Sequence, residues 1–142
     1  AWTDIDTSLI SDYAEGTFTP TLTFDGSSTG VTYDTQVGSY TRVGNIITFT
    51  AVVILSSKGA FTTEFVRLDG LPFTAKDVAD LGTPVTVWGH ALSGLTGVPS
   101  GFITENTNEV LFYDVSGGNS TVMIASDLSN TASFKVAGVY TI

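Results

Sequence analysis

A chain of 142 residues without cysteine fits one domain that buries roughly 70% of its unfolded surface, and it excludes a disulfide framework and a thiolate metal site. The 14 acidic residues outnumber the 5 basic ones for a formal net charge of −9, and Arg42, Lys58, Arg67, Lys76 and Lys135 are scattered singly. With no basic stripe to neutralise phosphate, nucleic acid and anionic membrane surfaces are excluded as partners. The longest apolar run, residues 46–55, is interrupted by Thr48 and Thr50 and falls short of the about 20 residues of a membrane-spanning helix, so no membrane insertion is expected.

Residues 1–13 mix polar side chains with Trp2, Ile5, Leu9 and Ile10 and show no period. They predict a connector to an upstream part, in keeping with a start at Ala1 rather than at methionine, and leave residues 14–142 as a single domain. In residues 17–24 the side chains Phe18, Leu22 and Phe24 share one face and Thr17, Thr19, Thr21 and Thr23 the other, the alternation of a half-buried strand. Pro20 has no amide to donate, which confines this strand to a sheet edge or a bulge. Strands at 40–43 and 46–55 flank Gly44-Asn45, a two-residue hairpin turn. Further strands are expected at 64–68, 85–92, 101–104, 109–115, 120–125 and 133–142, separated by Gly-, Asn-, Asp- and Pro-containing turns such as Asp69-Gly70 and Ser116 to Asn119. One stretch departs from the pattern. Thr74 and Asp77 have capping-box spacing, Val78, Ala79 and Leu81 follow, and Gly82 can stop a helix, so one or two helical turns are expected there. Short strands at this spacing predict an all-β fold, a β-sandwich of jelly-roll-like kind with one short helical turn segment.

Two stretches predict self-association. Residues 51–55 are apolar on both faces, so Val52 and Ile54 present a second face that a neighbouring subunit can cover. The last strand aligns Phe134, Val136, Tyr140 and Ile142 and runs to the end of the given chain.

Candidate chemistry is sparse. His90 is the one histidine and Ser93 follows it, but no Gly-x-Ser-x-Gly elbow accompanies them. Glu105 and Glu109 lie four apart around a turn-like Asn-Thr-Asn, and solvated acids in an exposed turn lack the burial that splits the pKa values of a glycosidase pair. Asp4 and Asp6 form an Asp-x-Asp pair, yet a calcium site needs about six to eight oxygens and nothing nearby completes one. Asn119-Ser120-Thr121 matches a glycosylation acceptor, but it reads more simply as part of a hairpin turn. No catalytic residue, metal or cofactor is therefore expected. The strand at 85–92 offers more. Val85, Val87, Gly89 and Ala91 share one face and Thr86, Trp88, His90 and Leu92 the other. If the small apolar side packs inward, Trp88 and His90 stand outside as a surface on which a sugar ring can stack, or as part of a subunit contact.

Four stretches carry a family resemblance: Glu15-Gly16-Thr17-Phe18-Thr19-Pro20-Thr21-Leu22, then Tyr33-Asp34-Thr35-Gln36-Val37-Gly38-Ser39-Tyr40-Thr41-Arg42-Val43-Gly44-Asn45, then the apolar strand 46–55, and Gly70-Leu71-Pro72-Phe73. In these the chain resembles the C-terminal modules of bacteriophage tail fibres and tailspikes. The first motif usually carries tryptophan where this chain has Phe18, and the likeness fades beyond Phe73. What it implies is a homotrimeric β-structured tip of the virion tail that assembles or caps the trimer and touches host-surface glycans. The catalytic carboxylates of such spikes belong to the shaft, so the module itself is expected not to be an enzyme.

Overall fold

The computed structural model describes residues 12–142. Ten strands follow in chain order: β1 (Tyr13–Phe18), β2 (Thr21–Phe24), β3 (Thr32–Val43), β4 (Ile46–Ser57), β5 (Val66–Asp69), β6 (Thr83–His90), β7 (Val98–Ile103), β8 (Glu109–Ser116), β9 (Asn119–Val122) and β10 (Ser133–Thr141). All pairings are antiparallel, in the order β1-β3-β4-β10-β6-β7-β8-β5-β2, with β9 on β8. The sheet curls because β6 belongs to both halves. Its first residues, Thr83 to Val85, pair with β7, and Thr86 to His90 pair with β10. The two halves face each other as the layers of a sandwich, which is the all-β architecture the alternation predicts. Almost the whole expected connector, together with Asp4 and Asp6, lies outside the described residues.

Inward rows fill the space between layers. Phe112 of β8 stacks on Phe134 of β10 at 4.5 Å, joining the two halves, and Phe49 meets Tyr140 edge-on at 5.8 Å. Burying each such ring contributes about 1.5–3 kcal/mol. The Tyr140 hydroxyl donates to the Phe73 carbonyl at 2.9 Å and accepts from the Phe73 amide at 3.3 Å, so this polar group enters the core satisfied. Burial pushes that phenol up to about 12, against the opposing pull of the Phe73 backbone.

Turn chemistry falls where the sequence puts it. Gly44, with φ +60, leads the two-residue turn between Val43 and Ile46, and Gly117 and Gly118, with φ +59 and +83, close the β8–β9 hairpin.

Three expectations need correction. The strand expected at 17–24 is two strands in opposite layers. The chain breaks at Thr19-Pro20, so β1 pairs with β3 while β2 is the edge of the other layer. Side chains of β3 bridge the gap: Tyr33 donates its hydroxyl to the Leu22 carbonyl at 2.8 Å and Gln36 its Nε2 to the Pro20 carbonyl at 2.9 Å. Thr23, expected on the solvent side, is buried and donates its Oγ1 to Asp69 Oδ2 at 2.9 Å. Residues 74–82 contain no helix. The Ala75 amide donates to the Thr107 carbonyl at 2.7 Å and the Lys76 amide to the Thr141 carbonyl at 2.9 Å. The Ala75 carbonyl accepts from the Asn106 amide, and Asp80 is left-handed at φ +62. These partners pin the segment as a strap across one end of the sandwich. Among the described residues the one helical turn is a 3₁₀ turn at Ala125–Asp127, where Asp127 Oδ2 accepts the Ile124 amide at 2.9 Å.

Candidate functional site

The outer face of the β1-β3-β4-β10-β6 layer carries the residues singled out from the sequence. In β6, Val85 and Val87 point inward, while Thr86, Trp88 and His90 are exposed. A Cβ on Gly89 would lie 2.5 Å from Leu92 Cδ1, so a larger residue there requires the Leu92 side chain to shift. Leu92 itself departs from expectation. Ala91 takes φ +59, ends the strand at His90 and turns Leu92 inward against the core instead of leaving it beside Trp88. Such a conformation costs a non-glycine residue roughly 1–2 kcal/mol, and one compensation is the Ser129 amide donating to the Ala91 carbonyl at 3.0 Å.

Trp88 is 53% exposed. Its ring lies parallel to that of His90, with centroids 6.0 Å apart and planes 8° from parallel. Lys135, directly opposite Trp88 in the ladder, holds its Nζ 5.4 Å from the Trp88 centroid, a cation–π contact of about 0.5–1 kcal/mol at an exposed site. Val52 and Ile54 lie two strands away on the same face and are half-buried. The register runs Val37, Val52, Lys135, Trp88 across one row and Thr35, Ile54, Ser133, His90 across the next. Further along the face, Glu15 and the hydroxyls of Thr17, Ser39, Thr41, Thr48 and Thr50 border a shallow groove of about 470 Å³. Tyr13, Val37, Val43, Ile46, Trp88 and Val139 are all largely exposed, and their register puts them all on this face.

The clustered acids lie elsewhere. Glu109 does not sit solvated in a turn as expected. It opens β8 directly opposite Asp69 of β5, and its carboxylate pairs with Arg67 Nη1 at 3.2 Å. Burial pushes the Glu109 carboxyl above its ordinary value, Arg67 opposes that rise, and the adjacent Asp69 adds to it. Arg67 Nε and Asp69 Oδ1 are buried there without a hydrogen-bond partner. Sequence reasoning missed this cluster because Asp69 is a turn signal by composition, and its partner is defined only by strand register. Asp114 faces a second groove with Phe65 and Asp127. It accepts the Thr96 amide and hydroxyl and the Gly97 amide, each at 2.9 Å, and these donors, the Thr96 amide foremost, hold its carboxyl below the ordinary value. Both its oxygens are occupied in shaping the turn. Among the described residues no carboxylate lies within ion-pair distance of His90 or Lys135, and no group of three His, Asp or Glu converges as a metal site.

No family model matches the chain, and no curated protein matches it. Its fold is similar to that of part of a solved tailspike. The solved structure concerned is the crystal structure of Dettilon tailspike protein, gp208, with a TM-score of 0.76 at 22% identity over 91% of this chain. The chain spans 24% of that tailspike's length, and the likeness is one of fold.

Proposed function

We propose that this chain is a module of a phage tail spike or fibre, located in the virion tail, that assembles as a homotrimer and binds host-surface glycan through the outer face of the β1-β3-β4-β10-β6 layer. The observation that carries the binding reading is the Trp88–His90 pair: parallel rings, one of them more than half exposed, standing off a rigid strand. An aromatic face gives a sugar ring an apolar surface to stack on, and neighbouring polar groups fix its hydroxyls. The hydroxyl-lined groove on the same face continues that chemistry. The sandwich shared with a tailspike supports the location.

The module acts by binding rather than by catalysis. Glycoside hydrolysis requires two carboxyl groups roughly 5–9.5 Å apart. Asp69 and Glu109 stand directly opposite each other in β5 and β8, but Arg67 and Thr23 already hold their carboxylates. A purely structural trimer cap is the second reading, favoured by the exposed apolar side chains of the same face, Val37 and Val139 among them.

Solution mass and a glycan array probed with the native oligomer separate the readings. The glycan reading expects trimer mass, and Trp88→Ala should abolish attachment while leaving the mass and melting temperature nearly unchanged. A Trp88→Ala variant that dissociates or unfolds, in a protein that binds no glycan, leaves the structural cap. A monomer at micromolar concentration and moderate salt removes both.

A further inference from the structure

We infer that the Trp88 platform takes an acidic sugar, a hexuronic acid or similarly carboxylated residue, with Lys135 as the group that selects for the charge. The inference rests on reading Trp88 and His90 as a glycan surface and adds the class of ligand.

The chain has 5 basic residues, and each is placed differently. Arg42 sits over Phe73 and beside Asp12, Arg67 is paired with Glu109, and Lys58 Nζ donates to the Ala125 carbonyl at 2.8 Å. These three are engaged in holding loops and strands together. Lys76 lies in the exposed strap, with no aromatic ring within cation–π distance among the described residues. Lys135 differs from all of them. It is exposed in the middle of a strand and lies against an aromatic side chain that is itself more than half exposed, with no carboxylate in reach among the described residues. Its ladder neighbours are Val52 and Trp88, and the adjacent outward positions are Ser133 and Ala137.

At −9 overall, the chain repels anions at long range. A positive charge kept clear of acids is thus a local exception within an acidic molecule. Nζ lies over the Trp88 ring, 5.4 Å from its centroid, and the flexible stem of lysine lets the ammonium turn aside to meet a carboxylate on a sugar that stacks there. A neutral sugar would use the same ring and gain nothing from the charge. The ion pair would be exposed, so its effect on affinity is modest and salt-sensitive.

The test measures binding of the native protein to an oligogalacturonate and to the same oligosaccharide with its carboxyl groups reduced. Wild type should prefer the acidic form by about three- to five-fold at low salt, a preference that shrinks as salt rises. Lys135→Met should erase the preference while still binding the reduced form, with the melting temperature lowered by no more than a few degrees for the lost contact with Trp88. Lys135→Arg should keep the preference, and Trp88→Ala should lose both ligands. Equal binding of the two forms by wild type overturns the inference but leaves the glycan platform standing. So does a Lys135→Met variant that melts lower and keeps its preference, since Lys135 is then a packing residue. Binding of neither form, nor of any glycan on the array, overturns the platform and the inference together.

Discussion

Gly38→Ala should destabilise this protein, although chain entropy alone argues the opposite. Gly38 is buried in β3 with an ordinary negative φ, a backbone that alanine adopts freely, and a Gly-to-Ala change at such a site normally stabilises by about 0.4–1 kcal/mol. Here Phe18 of β1 lies directly over the glycine. An added Cβ would be 2.6 Å from Phe18 Cζ and 2.7 Å from both Cε atoms, when carbon atoms in contact prefer about 3.5–4.0 Å. The ring has to move by about 1 Å, and it already rests edge-on against Phe49 at 6.5 Å. Over-packing of this kind costs about 1–3 kcal/mol, which in a chain of this size lowers the melting temperature by roughly 3–10 °C. The assay is urea unfolding at fixed protomer concentration, because association shifts apparent stability by mass action. The control is the Phe18→Ala background, where the ring is gone and Gly38→Ala should turn neutral or stabilising, for a coupling of about 1 kcal/mol or more. A stabilising Gly38→Ala in the wild-type background, or equal effects in both backgrounds, refutes the reasoning.

Glu109 has its carboxyl raised in the folded state, so the folded form holds that proton more tightly than the unfolded chain. Its stabilising effect is complete below the ordinary glutamate range and is lost as pH rises through the raised value. The stability of wild type relative to Glu109→Gln should therefore increase as pH falls from 7 through that window, and equilibrium unfolding at several pH values that gave the opposite slope would contradict it. Asp114 titrates the other way: its carboxyl is lowered, so its contribution is present above the ordinary aspartate range and disappears on acidification through the lowered value. Asp114→Asn should lose most stability near neutrality, read as a melting difference that narrows in acid. Tyr140→Phe removes both hydrogen bonds to the partly buried Phe73 backbone, a cost of about 1 kcal/mol or more measurable by thermal unfolding.

Period-two alternation and turn residues were enough to find nearly every strand and the two glycine turns, because both are local signals. They put Trp88 and His90 outside only on the condition that the small apolar side packs inward, a condition that Val85 and Val87 meet. What escaped depends on distant partners. Nothing local says that the chain changes layers at Pro20, because the reason lies in Tyr33 and Gln36 reaching across from β3. The helix signals at residues 74–82 are genuine in composition, but the backbone amides of Ala75 and Lys76 find carbonyls of Thr107 and Thr141 instead. Leu92 follows the alternation only until Ala91 takes a positive φ that its residue type does not announce. The Asp69–Glu109 pair exists solely because β5 and β8 align in one register.

The first two of the four stretches that carry the resemblance prove to be a single device. Gly16 lies opposite Tyr40 and Phe18 opposite Gly38. A Cβ on Gly16 would come 2.8 Å from the Tyr40 ring, and one on Gly38 would meet the Phe18 ring. Each strand thus contributes one aromatic and one glycine, and each ring covers the other strand's bare backbone, a cross-strand arrangement that restores the packing and pairing strength glycine lacks. Changing either aromatic leaves a glycine uncovered, and enlarging either glycine displaces a ring, so the four positions constrain one another. Tyr40 then meets Phe73 edge-on at 5.3 Å, which ties the fourth stretch, Gly70 to Phe73, into the same lock. With β1 fixed on β3 in this way, the outward row from Val37 through Val52 and Lys135 to Trp88 is held on a rigid sheet. Two strand spacings place Trp88 about 10 Å from Val52. In the proposed trimer, a subunit covering Val52 and Ile54 would reach its rim close to Trp88, so subunit contact and glycan platform can share one face, the site lying at the boundary between protomers.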